Sequence, residues 1–185
     1  MSVVLTEIFN HTSFYFRLFL FLTLHLIYDP VFVDKELVGA ISRSGDAKEV
    51  TQGPFIYVVV LLICTAVFFK ENLVGIMAIS SMAAGDGLAD LVGRRLGRNN
   101  KWFFNNSKSV AGSIAFTVGS YLCVTGLTSW LVLNDALAIP SLQGLLWGKF
   151  LLISIVCAFV ELIPYGDDNY SVPICAAILG STILN

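Results

Sequence analysis

Asp86, Asp90 and Arg94 stand four residues apart in the stretch Gly85-Asp86-Gly87-Leu88-Ala89-Asp90-Leu91-Val92-Gly93-Arg94-Arg95-Leu96-Gly97, so on a helix they share one face. Two carboxylates a turn apart can hold Mg²⁺, which takes oxygen ligands and bridges to substrate phosphates. Gly85 and Gly87 let a ligand approach the backbone closely, or let the backbone take positive φ. A structural reading fits the same residues: an Asp90–Arg94 ion pair at a membrane edge, with Gly93 and Gly97 as a small-xxx-small pair packed on another helix.

Two further clusters carry chemistry. In Asn105-Asn106-Ser107-Lys108-Ser109-Val110-Ala111-Gly112-Ser113, Lys108 stands just before a helix start, where a lysine and free N–H groups suit a phosphate. The alternative is a serine N-cap beside a lysine that snorkels to the interface. In Glu161-Leu162-Ile163-Pro164-Tyr165-Gly166-Asp167-Asp168-Asn169, Glu161 lies about one turn inside an apolar run, where a carboxylate is paired or functional. Lys149 would be about 18 Å away along the same helix, so a lysine or arginine from the loop that carries the motif is the expected partner. Asp167, Asp168 and Asn169 offer oxygen ligands, or form a solvated turn.

The elements that position these clusters are greasy. Of 185 residues, 56% are hydrophobic and 13% charged, and the mean hydropathy is +0.80. That composition predicts an all-α, multi-pass transmembrane helix bundle. Apolar stretches at 13–33, 54–69, 73–85, 110–133, 142–164 and 170–184 give about six membrane segments. The expected organisation is an N-terminal segment with one span (1–33) followed by a membrane domain (34–185). The net charge of −2 says nothing about nucleic acid, and there is no extended basic tract, so no nucleic-acid partner is expected. Cys64, Cys123, Cys157 and Cys175 sit singly in apolar runs and read as small core residues. His11 and His25 are isolated as well.

Counting crossings brings residues 34–53, 85–109 and 165–169 to one side, opposite 70–72 and 134–141. That side carries Lys35, Arg43, Lys48, Arg94, Arg95, Arg98, Lys101 and Lys108, against Arg17 and Lys70 on the other. The positive-inside rule makes it the cytoplasmic or equivalent face.

The Gly85–Gly97 stretch resembles the signature of the phytol kinase/farnesol kinase family, membrane kinases of isoprenoid alcohols. Three more blocks, in order, resemble that family. They are Ser42-Arg43-Ser44-Gly45 with Gly53-Pro54-Phe55-Ile56-Tyr57; Asn105 with Lys108-Ser109 and Ala111-Gly112-Ser113; and Glu161, Pro164, Asp168-Asn169 and Ser171-Val172-Pro173. The resemblance covers about residues 40–180. It departs at Val110, where the family usually has an aromatic, and in a shorter Glu161–Asp168 loop. Members also carry additional N-terminal spans with a basic-plus-histidine motif, which residues 1–33 do not resemble; this implies a truncated, divergent or inactive chain.

The resemblance implies transfer of a phosphoryl group to phytol or farnesol, with CTP as donor and Mg²⁺ as cofactor. Asp86, Asp90 and Asp168 would hold the metal. Lys108, Arg94 and Arg95 would clamp phosphates, with Gly85, Gly87, Asn105, Ser109 and Arg43 also on the nucleotide side. Asp168 or Glu161 would orient the alcohol. Expected partners are the lipid alcohol, the nucleotide and membrane lipid, with self-association through Gly112, Gly119 and Gly126. The expected location is the plastid envelope or thylakoid, or the endoplasmic reticulum. The alternatives are a CTP-dependent glycerolipid kinase or cytidylyltransferase, and a non-catalytic transporter or assembly subunit.

Overall fold

The computed structural model describes residues 57–64, 67–68, 73–137, 144–164 and 168–184. The chain divides into two compact units, Met1–Val59 and Val60–Asn185, and the second holds nearly all of the described residues. The expected span 13–33 and the loop 34–53, with Arg43, lie outside the described residues.

The first long helix, α1, runs Leu73–Leu96 without interruption. Its middle, Ser81–Asp86, is π-helical, a widened turn that recurs inside α-helices at functional sites. An antiparallel hairpin follows, β1 (Lys101–Trp102) pairing with β2 (Asn105–Ser109). Then come α2 (Val110–Leu133), α3 (Gly144–Glu161) and α4 (Asp168–Ile183). The architecture is an all-α membrane bundle with this one small hairpin. Among the described residues, α1, α2 and α3 are long and apolar enough to cross a membrane, while α4 is a shorter apolar helix.

Local chemistry explains the boundaries. Ser109 is extended (φ −126°, ψ 152°) and accepts a hydrogen bond from the Gly112 N–H at 3.0 Å, capping α2. At the other end the Asn134 side chain donates to the Trp130 carbonyl at 2.7 Å. Asp135 then turns left-handed (φ 54°), a conformation that aspartate tolerates and that stops the helix. Asparagine pairs such as Asn105-Asn106 suit turns, yet here the turn falls at Phe103-Phe104 and Asn105 is in β2. Its side chain is committed there: Oδ1 accepts from the Ser107 N–H and hydroxyl, and Nδ2 donates to the Leu162 carbonyl.

Helix α1 seats on α2 through small residues. The Phe116 ring lies 3.0 Å from where a Cβ on Gly85 would stand. A Cβ on Gly119 would stand 2.6 Å from Leu88 Cδ1 and 2.8 Å from the Ala84 carbonyl. One on Gly112 would meet the Ala89 carbonyl at 3.1 Å, and one on Gly97 would clash with Ser109. The seam assigned to self-association is therefore used inside the chain at Gly112 and Gly119, while Gly126 faces open space. Buried hydroxyls join the layers, with Ser81 and Ser120 hydrogen-bonded at 3.0 Å and Ser154 3.3 Å from Ser120. Phe116, Phe150, Ile153 and Met77 fill the core between them, each fully buried.

Candidate functional site

These contacts fix which helix ends lie together. Going along α1 from Ala84 to Gly97, the partners on α2 run backwards from Gly119 to Ser109, so the two helices are antiparallel. Helix α3 is antiparallel to α2 in turn, with Ser154 beside Ser120 and Glu161 beside Lys108. A Cβ on Gly180, late in α4, would lie 3.1 Å from Val74, early in α1, which leaves the start of α4 at the other end. The C-terminal turns of α1, the hairpin, Glu161 and the first residues of α4 thus gather at one end of the bundle. The crossing count predicted this convergence for these segments.

The centre of that end is an ion pair that joins two of the sequence clusters. Lys108 Nζ lies 2.8 Å from Glu161 Oε1, across 53 positions of chain. Glu161 is 4% exposed and Lys108 13%. A carboxylate this buried needs a cation within hydrogen-bonding reach. The expected lysine or arginine is Lys108 of β2, because β2 leads directly into α2 beside the end of α3. The adjacent hydrogen bond from Asn105 to the Leu162 carbonyl, at 3.0 Å, satisfies one of the carbonyls that the end of α3 exposes.

The acids of α1 sit in a wetter place. Asp86 and Asp90 are half-buried and a turn apart at the start of the regular helix Gly87–Leu96. Arg94 Nε lies 2.9 and 3.0 Å from the two oxygens of Asp90. With Arg94 48% and Asp90 32% exposed, such a pair is worth about 0–1 kcal/mol and opens readily. Arg95 is exposed. The space above Gly85 is taken by Phe116, whereas Gly87 has nothing within 4 Å of a Cβ position, so close access to the backbone exists at Gly87. Both have helical backbone, so neither needs positive φ. Asp168 is the first residue of α4, and its side chain lies outside what the structure describes. Among the described residues no cluster of three or more His, Cys, Asp or Glu side chains is present. Two carboxylates a turn apart still suit Mg²⁺, which commonly uses one or two protein carboxylates, waters and substrate phosphates.

Some features went unread in the sequence. Trp102 donates its indole N–H to Ser113 Oγ at 3.1 Å, pinning the hairpin to α2. The Ser81–Ser120–Ser154 chain was visible only as small residues in apolar runs. An aromatic beside an Asn-rich polar stretch is the signal that would have found Trp102.

Three apolar helices of membrane-crossing length, with lysine, arginine and carboxylate side chains gathered at one end, define the chain as an all-α membrane bundle with a charged end. Comparison with known proteins sharpens this. The chain is 38% identical over 154 residues to "Probable phytol kinase 3, chloroplastic" of Glycine max, covering 82% of this chain and 47% of that protein. It is 37% identical over 149 residues to "Probable phytol kinase, chloroplastic" of Triticum aestivum, covering 79% and 49%. It is 32% identical over 157 residues to "Farnesol kinase, chloroplastic" of Arabidopsis thaliana, covering 81% and 48%. The chain is thus similar in sequence to proteins named phytol kinase and farnesol kinase, and it spans about half the length of the curated relatives it matches. No protein-family model and no solved structure matches it.

Proposed function

We propose that this chain forms the catalytic core of an isoprenoid alcohol kinase, transferring a phosphoryl group from a nucleotide, CTP foremost, to phytol or farnesol. The observation that carries the reading is the Lys108–Glu161 pair at one end of an apolar bundle, with Asp90, Arg94 and Arg95 in the last turns of α1 at the same end and Asp86 one turn further back toward the middle of that helix. Phosphoryl transfer asks for positioning and charge neutralisation more than covalent chemistry, and this end holds groups for both. The sequence relatives, named for phytol and farnesol, supply the substrate class.

Asp86 and Asp90 would hold Mg²⁺, joined by Asp168 from α4. When bound, the ion would neutralise charge on the phosphates. Arg94 and Arg95, exposed and one residue apart, would grip phosphate oxygens. Arg43 would add a further cation, and Gly87 would let the donor lie against the helix. Lys108, held rigidly by Glu161, would present a fixed positive charge, with Asn105 and Ser109 keeping the hairpin and the start of α2 in place. Glu161 or Asp168 would orient the alcohol hydroxyl. We place this end on the cytoplasmic-equivalent face of a multi-pass protein, in a plastid membrane as in the relatives named chloroplastic, with 34–185 as one membrane domain.

The test is a panel of γ-labelled nucleotides against phytol, farnesol, geranylgeraniol and diacylglycerol in membranes carrying the chain. The expected product is a prenyl monophosphate formed with CTP. Phosphorylation of diacylglycerol alone, or formation of a CDP-lipid with release of pyrophosphate, would overturn it.

A further inference from the structure

The kinase reading leaves open where the hydrocarbon tail of the alcohol lies, and the bundle carries a groove of suitable chemistry. Between α2 and α3 lies a cavity of about 320 Å³, at the small end of the roughly 300–1,000 Å³ usual for small-molecule pockets. Its wall on α2 runs from Val110 to Val118, eight residues or about 12 Å along the axis. Its α3 wall runs from Leu162 back to Ile155. One mouth is therefore at the charged end: Val110 follows the cap Ser109, and Leu162 follows Glu161. The groove then runs toward the middle of the helices, away from the charges.

Its surface is hydrocarbon in effect, even where the sequence is polar. Ser113 Oγ donates to the Ser109 carbonyl and accepts from the Trp102 indole; Thr117 Oγ1 donates to the Ser113 carbonyl. Both hydroxyl protons are spent on the helix backbone, so the wall has no O–H donor to offer. A polar occupant would find no hydroxyl donor there, only the acceptor lone pairs of the Thr117 oxygen. The groove is open along its flank: Ile114 is 60%, Val118 49% and Phe159 61% exposed. Trp102 holds the charged-end mouth in place.

We infer that this groove receives the isoprenoid tail of the alcohol acceptor, admitted sideways from the bilayer, with the hydroxyl emerging beside Lys108 and Glu161. The inference rests on the kinase reading for the identity of the occupant. An acyl chain of bulk lipid has similar chemistry, and competition by phytol against phosphatidylcholine distinguishes the two sources.

The experiment uses a photoreactive diazirine analogue of farnesol in membranes carrying the full chain. Labelling should concentrate on peptides bearing Trp102, Ile114 and Phe159, and excess phytol should suppress it while excess phosphatidylcholine does not. Even labelling of all lipid-facing helices, or equal suppression by phosphatidylcholine, would overturn the inference. Ile114→Trp and Val118→Trp, at exposed positions that tolerate bulk, should raise KM for farnesol about tenfold and leave KM for the nucleotide unchanged. Unchanged KM for farnesol in both would also overturn it. If the wild-type chain phosphorylates no prenyl alcohol, the kinase reading fails, and the labelling pattern still decides the groove.

Discussion

Replacing Glu161 by Gln should be among the most damaging single changes to this fold, and the size can be worked from the geometry. At 2.8 Å and an effective dielectric of about 20, the Lys108–Glu161 attraction is about 6 kcal/mol before desolvation. Both ions have left most of their solvent, so the net value of the pair is far smaller than that. The asymmetry matters more. Removing one partner takes the 2.8 Å contact from the other, and breaking a buried pair costs about 3–5 kcal/mol. For a chain of this length each kcal/mol moves Tm by about 2–4 °C, so Glu161→Gln or Lys108→Met should each lower Tm by roughly 10 °C, measured by thermal unfolding in detergent. The double variant Lys108→Met with Glu161→Gln removes both charges of the pair and should recover most of that loss. Activity then separates two roles for Lys108. If the lysine is structural alone, prenyl alcohol phosphorylation returns with stability. If its charge serves the phosphates, the double variant is stable yet has a raised KM for the nucleotide, as expected from losing a point charge there. A Tm within 1–2 °C of wild type for both single variants would refute the buried pair, and with it the joining of the two clusters.

Other outcomes follow from the same geometry. Gly119→Leu must push aside Leu88 and the Ala84 carbonyl and should cost about 1–3 kcal/mol; Gly126→Ala, in open space, should be neutral or slightly stabilising by denaturant titration. Asp86→Asn and Asp90→Asn should each abolish turnover with little change in Tm, since these acids are half-buried and the Asp90 pair with Arg94 is worth little; full activity in either would remove that acid from the metal site. In a background free of other cysteines, Asn100→Cys and Asn134→Cys should label from opposite sides of the membrane with an impermeant maleimide; labelling from one side would break the antiparallel order of α1, α2 and α3 as membrane crossings.

What was legible in the sequence were features written in local periodicity and composition. The apolar run 110–133 is α2, residue for residue, because Ser109 caps it and Asn134-Asp135 end it. The Gly93/Gly97 pair and the Asp90–Arg94 pair could be read because helical spacing dictates them. The hairpin was not legible: two strands of two and five residues are too short to show an alternating pattern, and their polar residues read as turns. The Lys108–Glu161 contact spans 53 positions, which no local pattern encodes. The sevenfold glycines of α2 revealed a packing seam but not its partner, since a small-residue stripe serves a helix of the same chain and a helix of another copy equally well.

The location of the charges follows from the solvent. A lysine, arginine or aspartate at the bilayer midplane costs about 2.5–3.5 kcal/mol on the insertion scale. Asp86, Asp90, Arg94, Arg95, Lys108 and Glu161 placed at that depth would together cost about 15–20 kcal/mol, more than the roughly 5–15 kcal/mol by which a typical domain is stable. Charged groups are therefore favoured toward helix ends, where Arg94, Arg95, Lys108 and Glu161 lie, while Asp86 stands further along α1 at the end of its π-helical turn; on the proposed reading a water-insoluble alcohol must be brought to them there. The bundle divides the work along its axis. On the proposed reading, its charged end offers the polar groups and the groove between α2 and α3 would lead hydrocarbon up to it. On this account the hydrophobic spans are more than an anchor: their side chains should set which chain lengths react, while the residues at the charged end set which nucleotide does.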